Sequence, residues 1–314
     1  MRHFPVTQRG VALILVLWVT ILLTVIAGSF AFAMRTDMQV VQNSVAVARA
    51  EAAANAGVHR ALLELFKPPG DAERWQADGR AHEFTLAGAK VTASALDESG
   101  KIDINTAAIE LMKGLFLAAG LKDEEAVALV DAVQDWRDAD NLRRPNGAEE
   151  PEYRAAGLKY KPANAPFQTI EELQLVLGVK PEIYRRIAGF ITVYSRQPGL
   201  NAAIASRAAL LALPGVTAEQ VDGYMEQREV ARAGKLPVPL FPPAARFAGV
   251  SQNFAYSLRA EVRLEDGTVF VREAVAQILP DPKRPYTFLA WKESVPVSSQ
   301  SMNDKATTDD VQLK

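Results

Sequence analysis

The chain has 314 residues, a formal charge of -2, 49% hydrophobic and 23% charged residues. This is globular composition, and it excludes wholesale disorder and any global basic field that would recruit nucleic acid. Zero cysteines exclude disulfides, thiol nucleophiles and cysteine-based metal sites, and three histidines (His3, His59, His82) leave little for histidine catalysis.

The first element is an apolar run over 11–34, free of charge and long enough to cross a bilayer as a helix. Arg2 and Arg9 precede it and Arg35 follows, a weak bias towards a cytoplasmic N-terminus. Three readings compete. One is a plain membrane anchor. Another is a secretory signal with a small-x-small cut site at Ala31-Phe32-Ala33. In the third, MRHFPVTQRG resembles a type IV prepilin leader, residues 1–10, cut between Gly10 and Val11.

The helical pattern continues past the apolar run. From Thr36 to Phe66 there is no proline, and Ala46, Ala48, Ala50, Ala52, Ala53, Ala54 and Ala56 favour helix. Val40, Val41, Val45, Val47, Val58, Leu62, Leu63 and Phe66 form a loose apolar face in need of a partner. The spacing predicts one helix from Val11 to Phe66, roughly 84 Å long at about 1.5 Å per residue. Gly28 and Gly57 are possible bends, two separate helices are the alternative, and Pro68-Pro69-Gly70 ends the element.

Residues 82–97 alternate as a strand or hairpin with Gly88 near its turn. Residues 254–278 read as a second hairpin around Glu265-Asp266-Gly267, and Tyr286 to Trp291 as a further strand. Between them, helical patterns fall at 124–136, 169–177, 182–193 and 202–213. Strands on either side of a helical block predict an α+β head with an inserted all-α domain. The boundaries are a helical stalk and first part of the head over 35–99, the inserted domain over 100–235, C-terminal head strands over 236–293 and a disordered tail over 294–314.

The insert carries a faint repeat. Asn105 and Asn201 are read as helix N-caps, and Gly120-Leu121 and Gly215-Val216 as C-caps, with a partial copy ending at Gly178-Val179. The pattern resembles helix-hairpin-helix modules, which hold DNA phosphates on a Gly-apolar-Gly turn. Here Thr217 and Lys180 stand where the second glycine belongs, and there is no concentrated basic stripe. A membrane-anchored DNA-binding protein is therefore the alternative function. No nucleophile–base pair or phosphate loop points to an enzyme.

Residues 135–150 gather oxygen donors at Asp138, Asp140, Asn146, Glu149 and Glu150 on a loop made irregular by Pro145 and Gly147. Carboxylates at alternate loop positions can converge on Ca²⁺, which takes six to eight oxygens. Leu142 and Arg143 rule out an EF-hand, and a solvated loop of Arg–carboxylate pairs is the other reading.

Four segments carry a resemblance over most of the chain, from Arg9 to about Leu279. They are Arg9-Gly10-Val11-Ala12-Leu13, Asp97 to Ile102, Asp135-Trp136-Arg137-Asp138-Ala139-Asp140, and Arg144 to Glu149. Together they resemble the minor pseudopilin K family of type II secretion systems. The resemblance implies a pilin-like fold, a long N-terminal helix on a small antiparallel sheet, with a large α-domain inserted. It implies cleavage after Gly10 by prepilin peptidase and N-methylation of Val11. It implies calcium at Asp138, Asp140, Glu149 and Glu150, with Asn146 either a further ligand or only a shaper of the turn. Leu15 stands where most pilin-like chains have Glu, a departure that the K family shares and that fits a place at the pseudopilus tip. The implied partners are minor pseudopilins I and J, the major pseudopilin filament and exported substrate. The implied setting is a single-pass inner-membrane protein with its bulk in the periplasm, working in protein export and not as an enzyme.

Overall fold

The computed structural model describes residues 11–68, 70–71, 73–252 and 254–296. The expected leader 1–10, with Gly10, lies outside the described residues, as do residues 297–314 of the expected tail.

In chain order the elements are α1 (Val11–Leu65), β1 (Asp78–Leu86), β2 (Ala89–Asp97), β3 (Ile102–Asp103), α2 (Ile109–Ala118), α3 (Asp123–Arg137) and α4 (Glu150–Ala155). There follow α5 (Pro181–Ile187), β4 (Ile191–Thr192), α6 (Arg207–Leu211), α7 (Ala218–Ala233), β5 (Ala255–Arg263), β6 (Val269–Asp281) and β7 (Arg284–Ser294). The expected long helix is continuous, not two helices. Its first part, apolar enough to cross a membrane, is exposed and packs on none of the other described elements, and Val40, Val41, Val45 and Val47 are likewise exposed. Packing begins at Ala50 and runs through Ala54, Val58, Ala61, Leu62 and Leu65 at helical spacing. The alanines thus do more than favour helix: their small side chains bring the helix axis close to the sheet.

That sheet is antiparallel, in the order β1-β2-β5-β6-β7. The β1–β2 turn puts Ala87 at φ 50° and Gly88 at φ 81°, two left-handed residues in succession, as a tight two-residue hairpin needs. Gly267 at φ 86° serves the β5–β6 turn. Val91, Ala93 and Ala95 of β2, Leu258, Ala260 and Val262 of β5, and Phe270, Ala274 and Ala276 of β6 form the face under α1. Arg272 ties the layers: its Nε donates to Asn55 Oδ1 at 2.8 Å and its Nη2 to Glu51 Oε1 at 2.6 Å. The last strand reaches Ser294, which the sequence reading assigns to the tail.

The insert leaves and re-enters the sheet at one place. Asp97, which ends β2, is the register partner of Tyr256 in β5, so two adjacent strands flank some 150 residues of intervening chain. This intervening chain has its own apolar cluster, with Leu111, Met112, Leu115, Phe116, Trp136, Tyr153 and Leu173 at its centre. The cluster runs from Ile102 to Phe247, taking in Phe241 and Ala244 beyond the expected boundary at 235.

Several local expectations are corrected. The 202–213 pattern yields only the five residues of α6, capped by Ser206 Oγ accepting from Ala209 N at 3.2 Å. Asn201 caps a single turn and not a helix: its Oδ1 accepts from Ala203 N at 3.2 Å and its carbonyl from Ala205 N at 3.0 Å, while its backbone N–H donates to Ser99 O at 2.8 Å and fastens the insert to its entry point. Asn105 caps no helix either, since its side chain exchanges hydrogen bonds with the backbone of Phe167. The 182–193 pattern stops at Ile187, and Ile191–Thr192 instead pair in parallel with Ile102–Asp103. The 169–177 pattern forms only a 3-10 turn, Ile170–Leu175. The glycine stop at Gly120 is present, with Leu121 N bonding back to Phe116 O.

Candidate functional site

The acidic loop lies between α3 and α4. Helix α3 buries Ala126, Val130, Val133 and Trp136 on one face, which fixes the direction in which Asp135 and Asp138 leave its last turn. Asp135 is fully buried. Its Oδ1 accepts from Arg144 Nη1 at 2.7 Å, and its Oδ2 from the Arg144 backbone N–H at 3.2 Å. Gly147 lies directly against it: a Cβ there would come within 1.9 Å of Asp135 Oδ2. The loop therefore needs glycine at that position because of a close approach, not because of an unusual φ.

Asp138 Oδ2 also accepts from Arg144 Nη1, while its Oδ1 is buried without a hydrogen-bond partner. Glu149, at the start of α4, is 3% exposed, and neither carboxyl oxygen has a partner. Burial pushes its carboxyl above the ordinary range, and the negative charges of Asp135, Asp138, Asp140 and Glu152 push it further. Asp140 Oδ1 accepts from Leu142 N at 2.8 Å, leaving its other oxygen free of any described hydrogen bond. Asp138, Asp140 and Glu149 are thus brought into one electrostatic neighbourhood.

The other two expected ligands are engaged elsewhere. Glu150 pairs with Arg154 at 2.6 Å and with Lys161 at 3.5 Å. Asn146 donates from its backbone and side-chain N–H groups to Asp131 Oδ2, both at 3.1 Å. Among the described residues, no three acidic or histidine side chains are close enough to hold a metal in this arrangement. Arg144 lies between two of them.

Two participants are not evident from spacing. Asp135 falls inside the quoted motif, yet it reads as an ordinary helix residue until its burial is known. Asn164, 24 residues beyond Asp140, donates from Nδ2 to Asp140 O at 3.0 Å, and its Oδ1 is buried and unpartnered. No local signal marks it.

The donor set fits a hard cation on chemical grounds. Unpartnered buried carboxylate oxygens cost free energy, and here four acids crowd a fifth. Oxygen-only donors on an irregular loop are what Ca²⁺ accepts.

The helix-hairpin-helix resemblance takes a definite form as well. α6 and α7 flank Gly215 at φ 76°, and Thr217 caps α7. The basic side chains of α7 turn inward: Arg228 Nη1 donates to Ala205 O at 2.7 Å and Arg232 Nη2 to Ala203 O at 2.7 Å. They hold the preceding segment and present no stripe to phosphates.

A long helix, apolar and unpacked at its start and seated on a small antiparallel sheet at its end, with a helical domain inserted in that sheet, is a pilin-like fold whose first helix is long and apolar enough to cross a membrane. Comparison with known proteins agrees. A family model described as Type II secretion system (T2SS), protein K, matches residues 91–196. The chain is 27% identical to type II secretion system protein K of Klebsiella pneumoniae, covering 65% of this chain and 69% of that one. It is 25% identical to the Aeromonas hydrophila protein of the same name, covering 84% and 93%. A chain in the crystal structure of the GspK-GspI-GspJ complex from the type 2 secretion system of enterotoxigenic Escherichia coli shares the fold. The TM-score is 0.57 at 13% identity, over 84% of this chain and 99% of that one. The chain is thus similar to type II secretion system protein K, by the family model over residues 91–196 and by these relatives over most of its length.

Proposed function

We propose that this protein is the minor pseudopilin at the tip of a type II secretion pseudopilus, where it joins minor pseudopilins I and J above the major pseudopilin filament. The observation that carries the reading is α1 itself: one unbroken helix whose first half is bare and apolar and whose second half is the backbone of the head. A bare apolar helix of this length is a bundling element, in lipid first and among neighbouring subunit helices afterwards. The solved relative is a complex of K with I and J, which supports those partners here. Leu15 supports the tip position. A carboxylate in lipid needs a partner such as the terminal amine of a neighbour, and a subunit without one makes one fewer contact within a filament.

In this reading prepilin peptidase cuts between Gly10 and Val11 on the cytoplasmic side, Val11 is N-methylated, and the head lies in the periplasm. The protein performs no catalysis and serves export across the outer membrane, with exported substrate as a further contact. Expression with a prepilin peptidase should give a mature chain beginning at methylated Val11, read by intact mass. Gly10→Ala should slow or abolish that processing. A chain beginning at Met34 would establish a signal peptide and sink the pseudopilin reading. Affinity purification of the mature chain should bring down two smaller pilin-like proteins.

The same reading assigns calcium to the acidic loop, held by Asp138, Asp140 and Glu149 and neutralising the repulsion among them. Glu150 belongs to the ligand set that the resemblance implies, and reaching the ion requires it to leave Arg154 and Lys161. Asn146 shapes the turn from its bonds to Asp131. The ion's contribution would be structural: it would fix the α3–α4 loop in a head that has no disulfide. Calcium at 100 times its Kd raises stability by about 2.7 kcal/mol, so excess EDTA should lower the melting temperature by several degrees. An unchanged transition in EDTA counts against the ion.

A further inference from the structure

Arg144 occupies an unusual position. A single nitrogen, Nη1, donates to both Asp135 Oδ1 and Asp138 Oδ2, spanning the acids that flank the end of α3. The two other arginines nearby are committed elsewhere. Arg143 pairs with Glu152 at 3.0 Å, and the buried Arg137 donates from Nη1 to the Ile104 carbonyl. Arg144 is therefore the cation hydrogen-bonded to Asp135 and Asp138. It is an incomplete one: Glu149 keeps both oxygens unpartnered, and Asp138 keeps one. Its side chain is one-third exposed, so a path to solvent is open, whereas Asp135 has none.

We propose that Arg144 is a built-in counter-cation that a divalent ion displaces when it binds, so that this loop's affinity for calcium is set by an intramolecular competitor. The inference rests on the calcium reading above. One nitrogen satisfies two carboxylate oxygens, whereas a calcium ion gathers six to eight and can take up the oxygens that Arg144 leaves bare. The exchange replaces one positive charge with two among at least four acids. Arg144 goes back to water, where a guanidinium is readily solvated. Asp135 keeps a hydrogen bond from the Arg144 backbone N–H throughout, so the segment 144–147 stays anchored while the side chain swings out. The competing interpretation makes Arg144 a structural pin that orients Asp135 and Asp138 for the ion. The two differ in sign: removing a competitor tightens binding, and removing a pin weakens it.

Calcium titration calorimetry on the detergent-solubilised full chain separates them, with wild type, Arg144→Gln, Arg144→Lys and Arg143→Gln compared. Arg144→Gln should bind calcium about tenfold more tightly, a shift typical of coupling between two exclusive states. Arg144→Lys keeps a cation in place and should stay near wild type. Arg143→Gln removes the same charge one residue away and should change affinity less than twofold. Without the ion, Arg144→Gln should melt below wild type, because the buried Asp135 loses the cation hydrogen-bonded to it, and calcium should then raise its melting temperature by more than it raises that of wild type. If the variant folds only with calcium, chelator competition on the loaded protein gives the same affinity. Equal or weaker binding by Arg144→Gln overturns the proposal and leaves the calcium reading standing. A folded wild type that takes up no calcium overturns both.

Discussion

Replacing Gly114 with alanine should destabilise the inserted domain by about 3 kcal/mol or more, although the same change in most helices is favourable. An interior helical glycine costs about 1 kcal/mol relative to alanine, so propensity argues for a gain. Packing opposes it. Gly114 faces the segment that follows α6, and a Cβ there would lie 1.9 Å from the Ala212 carbonyl oxygen and 2.9 Å from its carbonyl carbon. The obstacle is backbone, with no rotamer to change. α2 would have to move by more than an ångström while Leu111, Met112, Leu115 and Phe116, all essentially fully buried, are locked around it. A gap of that size forfeits a quarter to a half of the dispersion energy of each separated contact. Gly223→Ala is the matched control: it also lies within a helix, α7, with nothing within 4 Å of its added methyl, and should be neutral or stabilising by up to about 1 kcal/mol. Chemical denaturation of the two variants beside wild type checks both signs, and a Gly114→Ala protein as stable as wild type would show that α2 and the 211–213 segment are not packed as described.

How much of this was legible beforehand depended on whether the signal was local. The 11–66 helix was, because an uncharged apolar run and a proline-free, alanine-rich continuation both speak through neighbours in sequence. The hairpins were too, since Gly88 and Gly267 sit where left-handed backbone is required. The insert was legible as helical but not in its boundaries. Asn105 looks like a cap by type, yet its side chain is drawn to the backbone of Phe167 far along the chain, and Asn201 caps only an isolated turn while its backbone N–H reaches Ser99. The apolar stretch after Ile187 reads as more helix because nothing nearby reveals its parallel pairing with Ile102 and Asp103. The acidic loop shows the same division. The spacing of Asp138 and Asp140 marks a candidate site, whereas the pairing of Arg144 with Asp135 and the approach of Asn164 exist only after folding. Composition also hid the use of charge: Arg228 and Arg232 count as basic surface in a sequence and serve as internal ties in the fold.

Gly57→Leu should detach the end of α1 from the sheet at a cost of about 3 kcal/mol, and it concerns the joint between anchor and head. Gly57 lies on the buried stripe between Ala54 and Val58, where a Cβ would approach Ala260 Cβ to 2.8 Å and Val91 Cγ1 to 2.9 Å. Favourable carbon contacts lie at about 3.5–4.0 Å, so even alanine is too close by more than half an ångström. For Gly57→Ala the gain in helix propensity, about 1 kcal/mol, meets an overpacking cost of about 1–3 kcal/mol, and the net result should be a modest loss. Leucine puts three more carbons into the same gap and leaves no doubt about the sign. The clamp of Arg272 on Glu51 and Asn55 lies within two turns before Gly57 and holds that end of the contact in register, so the damage should concentrate from Gly57 towards Leu65. Because the insert has a separate apolar cluster, its own packing should survive. Hydrogen exchange on the detergent-solubilised variant reads both halves of the claim: amides of 57–65 should lose protection while those of α2 keep theirs. Uniform loss across both regions would mean that head and insert unfold as one unit, and unchanged exchange over 57–65 would mean that the helix does not need its close seat at Gly57.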